Sequence, residues 1–392
     1  MNEINFKKEA EKIYPDIIEF RRHFHRHPEI SFEEYETSNY IRQKLDEMGI
    51  KNFSLAKTGV VGLIGEGENC AALRADMDAL PILESTGLEF ESEKHGVMHA
   101  CGHDMHSAML LGAAMILKKY EKDIKGQVKL IFQHAEELIP GGASELIEAG
   151  VLEYPKPSAI FAQHIHTTAE TGKILTAPGA FTTSADELYW TIIGKSTHAA
   201  MPQIGNDPIM AASNLVLSLQ SLITKFKDPL DPAVLSVTSF HGGKTTNIVP
   251  EIVDLQGTLR AFDQDWREKA HKLIERFSVE ICRQYGTECL YKPKMGFPPT
   301  LNNETTTTLV KNIVRDLYGP QSFETTRPMT WAEDFAYYTY KIPGTLWLLG
   351  VKPHDADEMP SLHNPRLNPD ENALPVGTAM LAAVAFNYLL GL

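Results

Sequence analysis

Five short, nearly continuous apolar runs constrain the fold of this chain more than any other feature of its sequence. They are interspersed with helical patterns and occupy residues 60–64, 71–75, 128–133, 159–164 and 345–351. A strand that is apolar on both sides belongs to a sheet that is covered on both faces. The runs therefore predict an α/β domain with a mostly parallel sheet flanked by helices.

Other apolar patterns predict the helices of this domain. Between Asn5 and Gly49, apolar residues recur at helical spacing and are interrupted at Pro28, which predicts two helices around a turn. The segments 108–117 and 381–392 are almost wholly apolar. Both are shorter than the roughly 20 residues that a membrane-spanning helix needs, so we expect two buried core helices.

The pattern changes after Pro178. A strand, a helix, two strands and a helix follow, at residues 187–195, 207–223, 233–243, 251–262 and 266–285. This order, over about 110 residues, predicts an inserted α+β domain of the ferredoxin-like kind at 181–294. The main domain is then discontinuous, with a first part at 1–180 and a second part at 295–392.

The composition excludes several classes of function. Of the 392 residues, 43% are apolar and 22% charged, which is typical of a folded globular protein. The formal net charge of −14 disfavours nucleic acid and anionic membrane surfaces as partners. Four scattered cysteines do not form a disulfide framework, and the first residues lack the apolar core of a secretory signal. We therefore expect a cytoplasmic protein.

The densest group of metal-binding side chains lies in the segment HGVMHACGHDMHS, residues 95–107. Cys101 and His103 can point a thiolate and an imidazole at one ion, and both groups bind borderline metals. Asp104 suits the N-cap of the helix that follows. The remaining histidines of the region are expected to pack or to face solvent; they are His95, His99 and His106, and on an earlier helix His23, His25 and His27.

Two further groups follow predicted strands. Glu136 and Glu137 lie in the extension of the run 128–133. Adjacent residues of an extended segment project oppositely, so one carboxylate can bind a metal and the other can face a metal-bound water. His164 ends the run 159–164, and His166 is the weaker candidate there. Because active sites of open α/β sheets lie at the carboxyl ends of strands, both groups are site candidates.

A succession of motifs then resembles a known family. In chain order the motifs are RRHFHRHPEISFEE, RADMDALPI, HACGHDMH, AEELIPGGA, AQHIH, STHAAMPQIGNDPI, NIVPE, AEDFAYY and SLHNP. The chain resembles the M20 family of metallopeptidases and amidohydrolases, and most of all its branch of aminoacylase-like, hippurate and indole-acetyl-amino-acid hydrolases. The resemblance implies a metal-dependent amidohydrolase that cleaves the amide bond of N-acyl amino acids or small peptides.

The same resemblance assigns roles to residues of the main domain, which it makes the catalytic domain. It implies two divalent transition metal ions, which are Zn, Mn, Co or Ni. Their ligands would be Cys101 as the bridge, His103, Glu137, His164 and His363. Glu136 would be the general base, and Asp78 would orient a ligand imidazole.

The inserted domain would be a lid and dimerisation domain that contacts the substrate. The resemblance implies that His198 stabilises the oxyanion and that Asn247 and Arg260 hold the free carboxylate of the substrate. It also implies a homodimer formed through this domain, with a tetramer left open.

The chain departs from the family pattern at two motifs. His134 stands where the family commonly has Pro, and AQHIHT replaces Gly-Leu-His followed two residues later by Pro. The second departure keeps His166 open as the alternative to His164. We expect structural roles for two other charged groups, with Arg74 in a surface ion pair and the acidic pair at 333 and 334 at a helix N-terminus.

Two rival functions stay open. A cysteine-nucleophile hydrolase would use Cys101 and a nearby histidine, and would leave both glutamates without a role. A non-catalytic metal-binding or carboxylate-binding protein would hold ions without turnover. The substrate is also open among N-acetyl, aromatic acyl and short peptide compounds and N-acetyl-diaminopimelate.

Chelation separates a metal hydrolase from a thiol hydrolase. We expect EDTA or phenanthroline to abolish amide hydrolysis, and Mn²⁺, Co²⁺, Ni²⁺ or Zn²⁺ to restore it, because the ions supply the nucleophile. Activity that survives removal of metal, as measured by elemental analysis, would support the thiol enzyme instead.

Overall fold

The structure is a computed structural model that describes residues 4–391. The helices are α1 Phe6–Lys12, α2 Tyr14–Arg26, α3 Tyr35–Glu47, α4 His103–Lys119, α5 Gly142–Glu148, α6 Pro208–Lys225, α7 Gln264–Gln284, α8 Glu304–Tyr318, α9 Ala336–Thr339 and α10 Leu374–Leu390. The strands are β1 Lys51–Leu55, β2 Gly59–Gly65, β3 Cys70–Asp76, β4 Gln127–Gln133, β5 Ala159–Glu170, β6 Ile174–Thr176, β7 Gly179–Ala180, β8 Asp186–Ile193, β9 Thr197–His198, β10 Ala233–Gly242, β11 Ile248–Val249, β12 Ile252–Ala261, β13 Glu288–Met295, β14 Leu301–Asn302, β15 Phe323–Thr325 and β16 Gly344–Lys352.

The chain forms two compact units. The first contains the residues up to Phe181, Leu301–Arg327 and the residues from Asp334 onward, and the second contains Thr182–Thr300 and Pro328–Glu333. The sequence placed the inserted domain at 181–294 and did not assign Pro328–Glu333 to it. This short segment joins the second unit because Thr183 donates its backbone N–H to Trp331 O over 3.1 Å and its hydroxyl to Thr330 O over 2.8 Å.

The first unit is built on a sheet with the strand order β1-β2-β4-β3-β5-β16-β6-β15. Its centre, β4-β3-β5-β16, is parallel, which confirms the predicted mostly parallel α/β sheet. Every residue of β3 is buried, as expected for a strand covered on both faces. The carboxyl ends of β3, β4 and β5 therefore lie side by side at one edge of the sheet.

Helix α10 is a core helix of this unit. Residues Glu371–Leu390 form one helical segment of 20 residues, which is long and apolar enough to cross a membrane, so the expectation that it is too short was wrong. Most of the segment is nevertheless buried inside the protein, where α10 packs against α1, α4 and α8.

The N-terminal region contains three helices where the sequence predicted two. Ile13 ends α1 and also caps α2, because Pro15 lies in the first turn of α2 and lacks a backbone N–H to continue the preceding helix. The predicted turn at Pro28 separates α2 from α3.

His25 of α2 is buried, whereas the sequence predicted a helix surface. Its Nδ1 lies 2.8 Å from Asp104 Oδ2 and its Nε2 lies 3.0 Å from Glu84 Oε1. Burial lowers the pKa of His25, but these hydrogen bonds outweigh burial and raise this pKa to about 9. The two acids lie 59 and 79 positions away in the chain, so local periodicity could not indicate them.

Arg74 is also buried, so the predicted surface ion pair was wrong in its location. Its guanidinium lies 2.7 Å from Asp76 and 2.8 Å from Asp334. Asp334 in turn accepts the backbone N–H of Ala143 over 3.0 Å, in the first turn of α5. Asp334 therefore has a structural role, but its carboxylate serves the start of α5 and not the helix of the aromatic run that follows it, α9, where the sequence placed it.

The second unit is an antiparallel sheet of order β10-β12-β8-β13 with α6 and α7 packed on it. Side chains from β8, β12 and both helices form its core, including Trp190, Leu215, Leu255 and Ile274. The predicted order β-α-β-β-α is followed by one more strand, β13, which lies at an edge of the sheet and which sequence reasoning missed. Its exposed Lys residues and Pro293 are untypical of a strand, although Pro is tolerated at a sheet edge.

Gly350 of β16 provides a test of how tightly the first unit is packed. A Cβ at this position would lie 2.0 Å from the carbonyl oxygen of Glu170, a backbone atom that cannot rotate away. We expect Gly350→Ala to lower the free energy of unfolding by about 1–3 kcal/mol, measured by urea titration. Gly344→Ala, whose Cβ would meet Ile160 Cγ2 at 2.9 Å, should cost less, and an equal loss would contradict this reading of the packing.

Candidate metal centre

The segment that carries Cys101 and His103 enters α4 through a glycine. Gly102 is the N-cap residue with φ +84°, and a Cβ there would lie 2.2 Å from Ile165 Cδ1. The predicted N-cap, Asp104, instead lies in the first turn of α4 and bonds His25. The segment before Cys101 is held in place because Met98 and Leu80 exchange both backbone hydrogen bonds at 3.0 Å.

His103 is oriented by Asp78. Its Nδ1 lies 2.9 Å from Asp78 O and 3.2 Å from Asp78 Oδ1, so Nδ1 carries the proton and donates it. Its Nε2 is buried and makes no hydrogen bond among the described residues. A buried imidazole nitrogen held in this way is oriented as a metal ligand.

His164 of β5 lies beside Cys101. Its Nδ1 lies 2.8 Å from Ile165 O, and its Nε2 lies 3.5 Å from Cys101 Sγ. His166, the alternative at this motif, lies further along β5, where its Nε2 bonds the hydroxyl of Thr168 over 2.9 Å. The structure thus brings His164, rather than His166, to the thiol.

Glu136 and Glu137 follow the last residue of β4 by three and four positions. The backbone N–H of Glu137 donates to Asp78 Oδ2 over 3.0 Å. Glu137 Oε1 lies 3.1 Å from Nε2 of His363. His363 itself is fixed by a 2.7 Å hydrogen bond from its backbone N–H to Ala100 O, next to Cys101.

The predicted ligands form overlapping groups whose donor atoms lie within 4.8 Å of one another. These groups are Cys101, His103 and His164; Cys101, Glu137 and His363; and His103, Glu136 and Glu137. We name the five predicted ligands, Cys101, His103, Glu137, His164 and His363, the metal centre. Cys101 belongs to both groups that contain only predicted ligands. The buried thiol and imidazoles form one side of the centre, and the half-exposed His363 lies on the side open to solvent.

The electrostatics of the centre favour a cation. Burial lowers the pKa of His103, but the carboxylates of Asp76 and Asp78 outweigh burial and raise this pKa to about 10. Burial, followed by the charges of Glu137 and Glu136, raises the pKa of the Cys101 thiol well above its ordinary value. A thiolate therefore requires a positive ion close to it, and thiolate, imidazole and carboxylate together suit borderline divalent metals.

These directions also weaken the rival cysteine-nucleophile mechanism. Burial, followed by the charge of His106, lowers the pKa of His164 well below its ordinary value. A neutral imidazole that resists protonation is a poor base for a thiol that resists ionisation. The neighbouring His106 is committed to structure, because its Nδ1 lies 2.6 Å from Asp76 Oδ1 and its Nε2 accepts the backbone N–H of Ile165 over 2.9 Å.

The predicted substrate residues all belong to the second unit. His198 lies on β9, and its backbone pairs with Ile248 of β11. The carbonyl of Asn247 accepts the backbone N–H of Ala199 over 3.0 Å, which places His198 and Asn247 together on this two-stranded sheet. Arg260 lies on β12, where its Nη1 donates to the hydroxyl of Thr258 over 2.6 Å.

Sequence reasoning missed several buried or half-buried groups that hold the centre in place. Ser31 donates its hydroxyl to Asp78 Oδ2 over 2.7 Å, and Asp76 bonds both Arg74 and His106. Glu34 is fully buried beside Ala135. All of them lie within motifs already recognised, but short motifs do not indicate which polar side chains point inward.

This arrangement of imidazole, thiol and carboxylate donors at the carboxyl edge of a parallel sheet is that of a metallohydrolase. The chain belongs to peptidase family M20/M25/M40, whose sequence profile matches residues 72–387. It is 39% identical to IAA-amino acid hydrolase ILR1-like 5 of Arabidopsis thaliana, over 97% of this chain and 88% of that protein. It is 38% identical to N-acetyl-L-cysteine deacetylase of Bacillus subtilis, over 91% and 84%.

A solved structure agrees with the fold. The Bacillus subtilis YXEP protein, a dinuclear metal-binding peptidase of the M20 family, superposes with a TM-score of 0.85 at 33% identity and covers 97% of this chain and 99% of that one.

Asp78 offers a test of the centre that needs no substrate. Asp78→Asn replaces the oxygen that accepts the N–H of Glu137 with an amide donor, so we expect metal affinity to fall by about 10- to 100-fold in chelator-competition titrations of metal-free protein. Glu84→Gln is the matched control, because Glu84 bonds the imidazole of His25, which is not a ligand. Equal affinities of the two variants would contradict the assigned role of Asp78.

Proposed function

We propose that this metal-dependent amidohydrolase hydrolyses N-acyl amino acids, releasing the free amino acid and the acyl group as a carboxylate. The observation that carries the proposal is the overlap of the donor groups around Cys101, with Glu136 beside the ligand Glu137. The relatives named above act, by their names, on amino acids linked through nitrogen to an acyl group. An N-acyl amino acid is the substrate class they share.

Two divalent ions fit the donor set. Cys101, His103, Glu137, His164 and His363 would hold them, and we propose Zn, Mn, Co or Ni because thiolate and imidazole donors favour these over Mg or Ca. When bound, the ions lower the pKa of a coordinated water and polarise the scissile carbonyl.

Glu136 is the general base in this proposal. Its role is supported by its burial, with 5% exposed, by its position after the end of β4, and by its donor group with His103 and Glu137. It would take a proton from the water during attack on the amide carbon and deliver it to the departing amine.

The residues of the second unit would bind the substrate. His198 is exposed and its Nδ1 accepts the backbone N–H of Ala200 over 3.1 Å, so its Nε2 is the nitrogen that would face an oxyanion. Arg260 would pair with the free carboxylate of the substrate, since a guanidinium matches a planar carboxylate with two parallel hydrogen bonds. Asn247 would add an amide donor to the same carboxylate.

We also propose a homodimer formed through the second unit, in the cytoplasm. Strand β10 is one of the two edges of the four-stranded sheet and carries the exposed apolar side chains Val234 and Phe240. An edge strand of this kind can pair with a second copy of itself. Sedimentation velocity distinguishes a dimer from a monomer or a tetramer.

A substrate panel with a base-deficient variant tests the function. We expect the enzyme loaded with Mn²⁺, Co²⁺, Ni²⁺ or Zn²⁺ to hydrolyse N-acetyl or aromatic N-acyl amino acids faster than dipeptides. Glu136→Gln should lower kcat by at least about 10²-fold, the scale of general-base catalysis, with unchanged metal content. Turnover that persists in this variant would refute the assignment of the base, and dipeptides as the best substrates would make the protein a peptidase.

A further inference from the structure

The loop between α2 and α3 contacts residues that lie next to the predicted ligands in the chain or bond to them. Ser31 donates to Asp78, and the ring of Phe32 packs edge-on against the ring of His134 with centroids 5.6 Å apart. Glu34 is 0% exposed and occupies the N-cap position of α3, yet its side chain does not cap that helix. Its carboxylate is used elsewhere.

Glu34 binds the backbone of two strained residues with one oxygen. Oε1 accepts the N–H of Phe32 over 2.9 Å and the N–H of Ala135 over 2.8 Å, while Oε2 accepts the hydroxyl of Thr58 over 2.7 Å. Phe32 has φ +68° and Ala135 has φ +52°. A left-handed conformation costs a residue with a side chain roughly 1–2 kcal/mol, so the surrounding contacts have to maintain it.

Ala135 directly precedes the two glutamates of the site. Its carbonyl accepts the N–H of Gly142 over 3.0 Å, so the residue is bonded on both sides of its Cα. Gly142 cannot be replaced without a clash, because a Cβ there would lie 1.9 Å from the carbonyl oxygen of His134. The direction in which the chain leaves Ala135 determines where Glu136 and Glu137 point.

We propose that Glu34 is a positioning residue, which holds Ala135 in its left-handed conformation and thereby aims the base Glu136 and the ligand Glu137. The inference rests on the proposed function for the roles of those two glutamates. Within residues 4–391, the side chain of Glu34 makes its hydrogen bonds to Phe32, Ala135 and Thr58 and to none of the predicted ligands. It acts as an acceptor of hydrogen bonds, and its charge is not required.

Two substitutions separate hydrogen bonding from charge. Glu34→Gln removes the charge but keeps a carbonyl oxygen for Phe32 and Ala135, and its amide can donate to the Thr58 hydroxyl, which then accepts. Glu34→Asp keeps the charge but withdraws the carboxylate by about 1.5 Å, which breaks the 2.8 Å hydrogen bond. If the charge of Glu34 matters, Glu34→Gln should be the more damaging variant. If its hydrogen bonds position Ala135, Glu34→Asp should be the more damaging one.

The experiment measures Zn²⁺ affinity of the metal-free full-length protein by chelator competition, and kcat and KM of the Zn²⁺-loaded enzyme on an N-acetyl amino acid. For Glu34→Asp we expect Zn²⁺ affinity and kcat to fall by about 10- to 100-fold, with KM near that of the wild type. Glu34→Gln should stay near the wild type in all three quantities.

Glu29→Asp is the matched control. Glu29 is a buried carboxylate of the same loop that accepts the N–H and the hydroxyl of Thr37 in α3, at 2.8 and 2.9 Å. Shortening it should lower stability in thermal melts but leave Zn²⁺ affinity unchanged. If Glu29→Asp lowers the affinity as much as Glu34→Asp, the effect is general destabilisation and the proposal is overturned.

A second variant tests the same role through the backbone of Ala135. Ala135→Gly tolerates φ +52° without steric cost, so the loss caused by Glu34→Asp should be smaller in the Ala135→Gly background. Additive losses, or a Glu34→Gln variant as damaged as Glu34→Asp, would overturn the positioning role. Failure of the wild type on every N-acyl amino acid would instead refute the proposed function, because Zn²⁺ affinity is read without substrate.

Discussion

The buried carboxylate of Asp78 is the interaction on which the metal centre depends. It lies two residues beyond β3 and joins three separate parts of the chain, because it bonds the imidazole of His103, the backbone of Glu137 and the hydroxyl of Ser31. Burial raises the pKa of Asp78, but the hydrogen bond from His103 outweighs burial. The pKa is therefore below its ordinary value, and the group stays ionised. Two ligands of the centre therefore share one fixed anion, and a shift of either would leave a buried charge without its partner.

Around this anion the first unit buries other ionised groups in ion pairs. Arg74 pairs with both Asp76 and Asp334, and His25 lies between Asp104 and Glu84. A charge in a low-dielectric interior is stable only with a partner and satisfied hydrogen bonds, so these pairs fix the ends of β3 and the start of α4 in one arrangement. Rigid support of this kind suits a centre whose donors have to converge within a few ångströms.

The two departures from the family pattern have different consequences. At AQHIHT the structure still brings His164 to Cys101, because the strand register of β5 against β16 continues through Leu348 opposite His164. At His134 an imidazole stands where the family commonly has a proline ring. It is buried, with its Nε2 3.2 Å from Glu145 and its ring against Phe32, so it fills space beside the loop that Glu34 organises.

By itself, the sequence determined the family, the types of side chain that meet at the site, and five strands of the main sheet, which are β2, β3, β4, β5 and β16. Apolar runs, Cys-x-His and Glu-Glu are patterns of neighbouring residues, so they can be recognised without the fold. It misjudged His25 and Arg74 and passed over Glu34, since each is defined by partners far along the chain. Only the tertiary structure decided which polar groups face inward, which of two histidines on β5 meets the thiol, and how a strained backbone aims the two glutamates. These outcomes depend on burial and on hydrogen bonds between distant segments, and neither exists until the parallel strands have packed side by side.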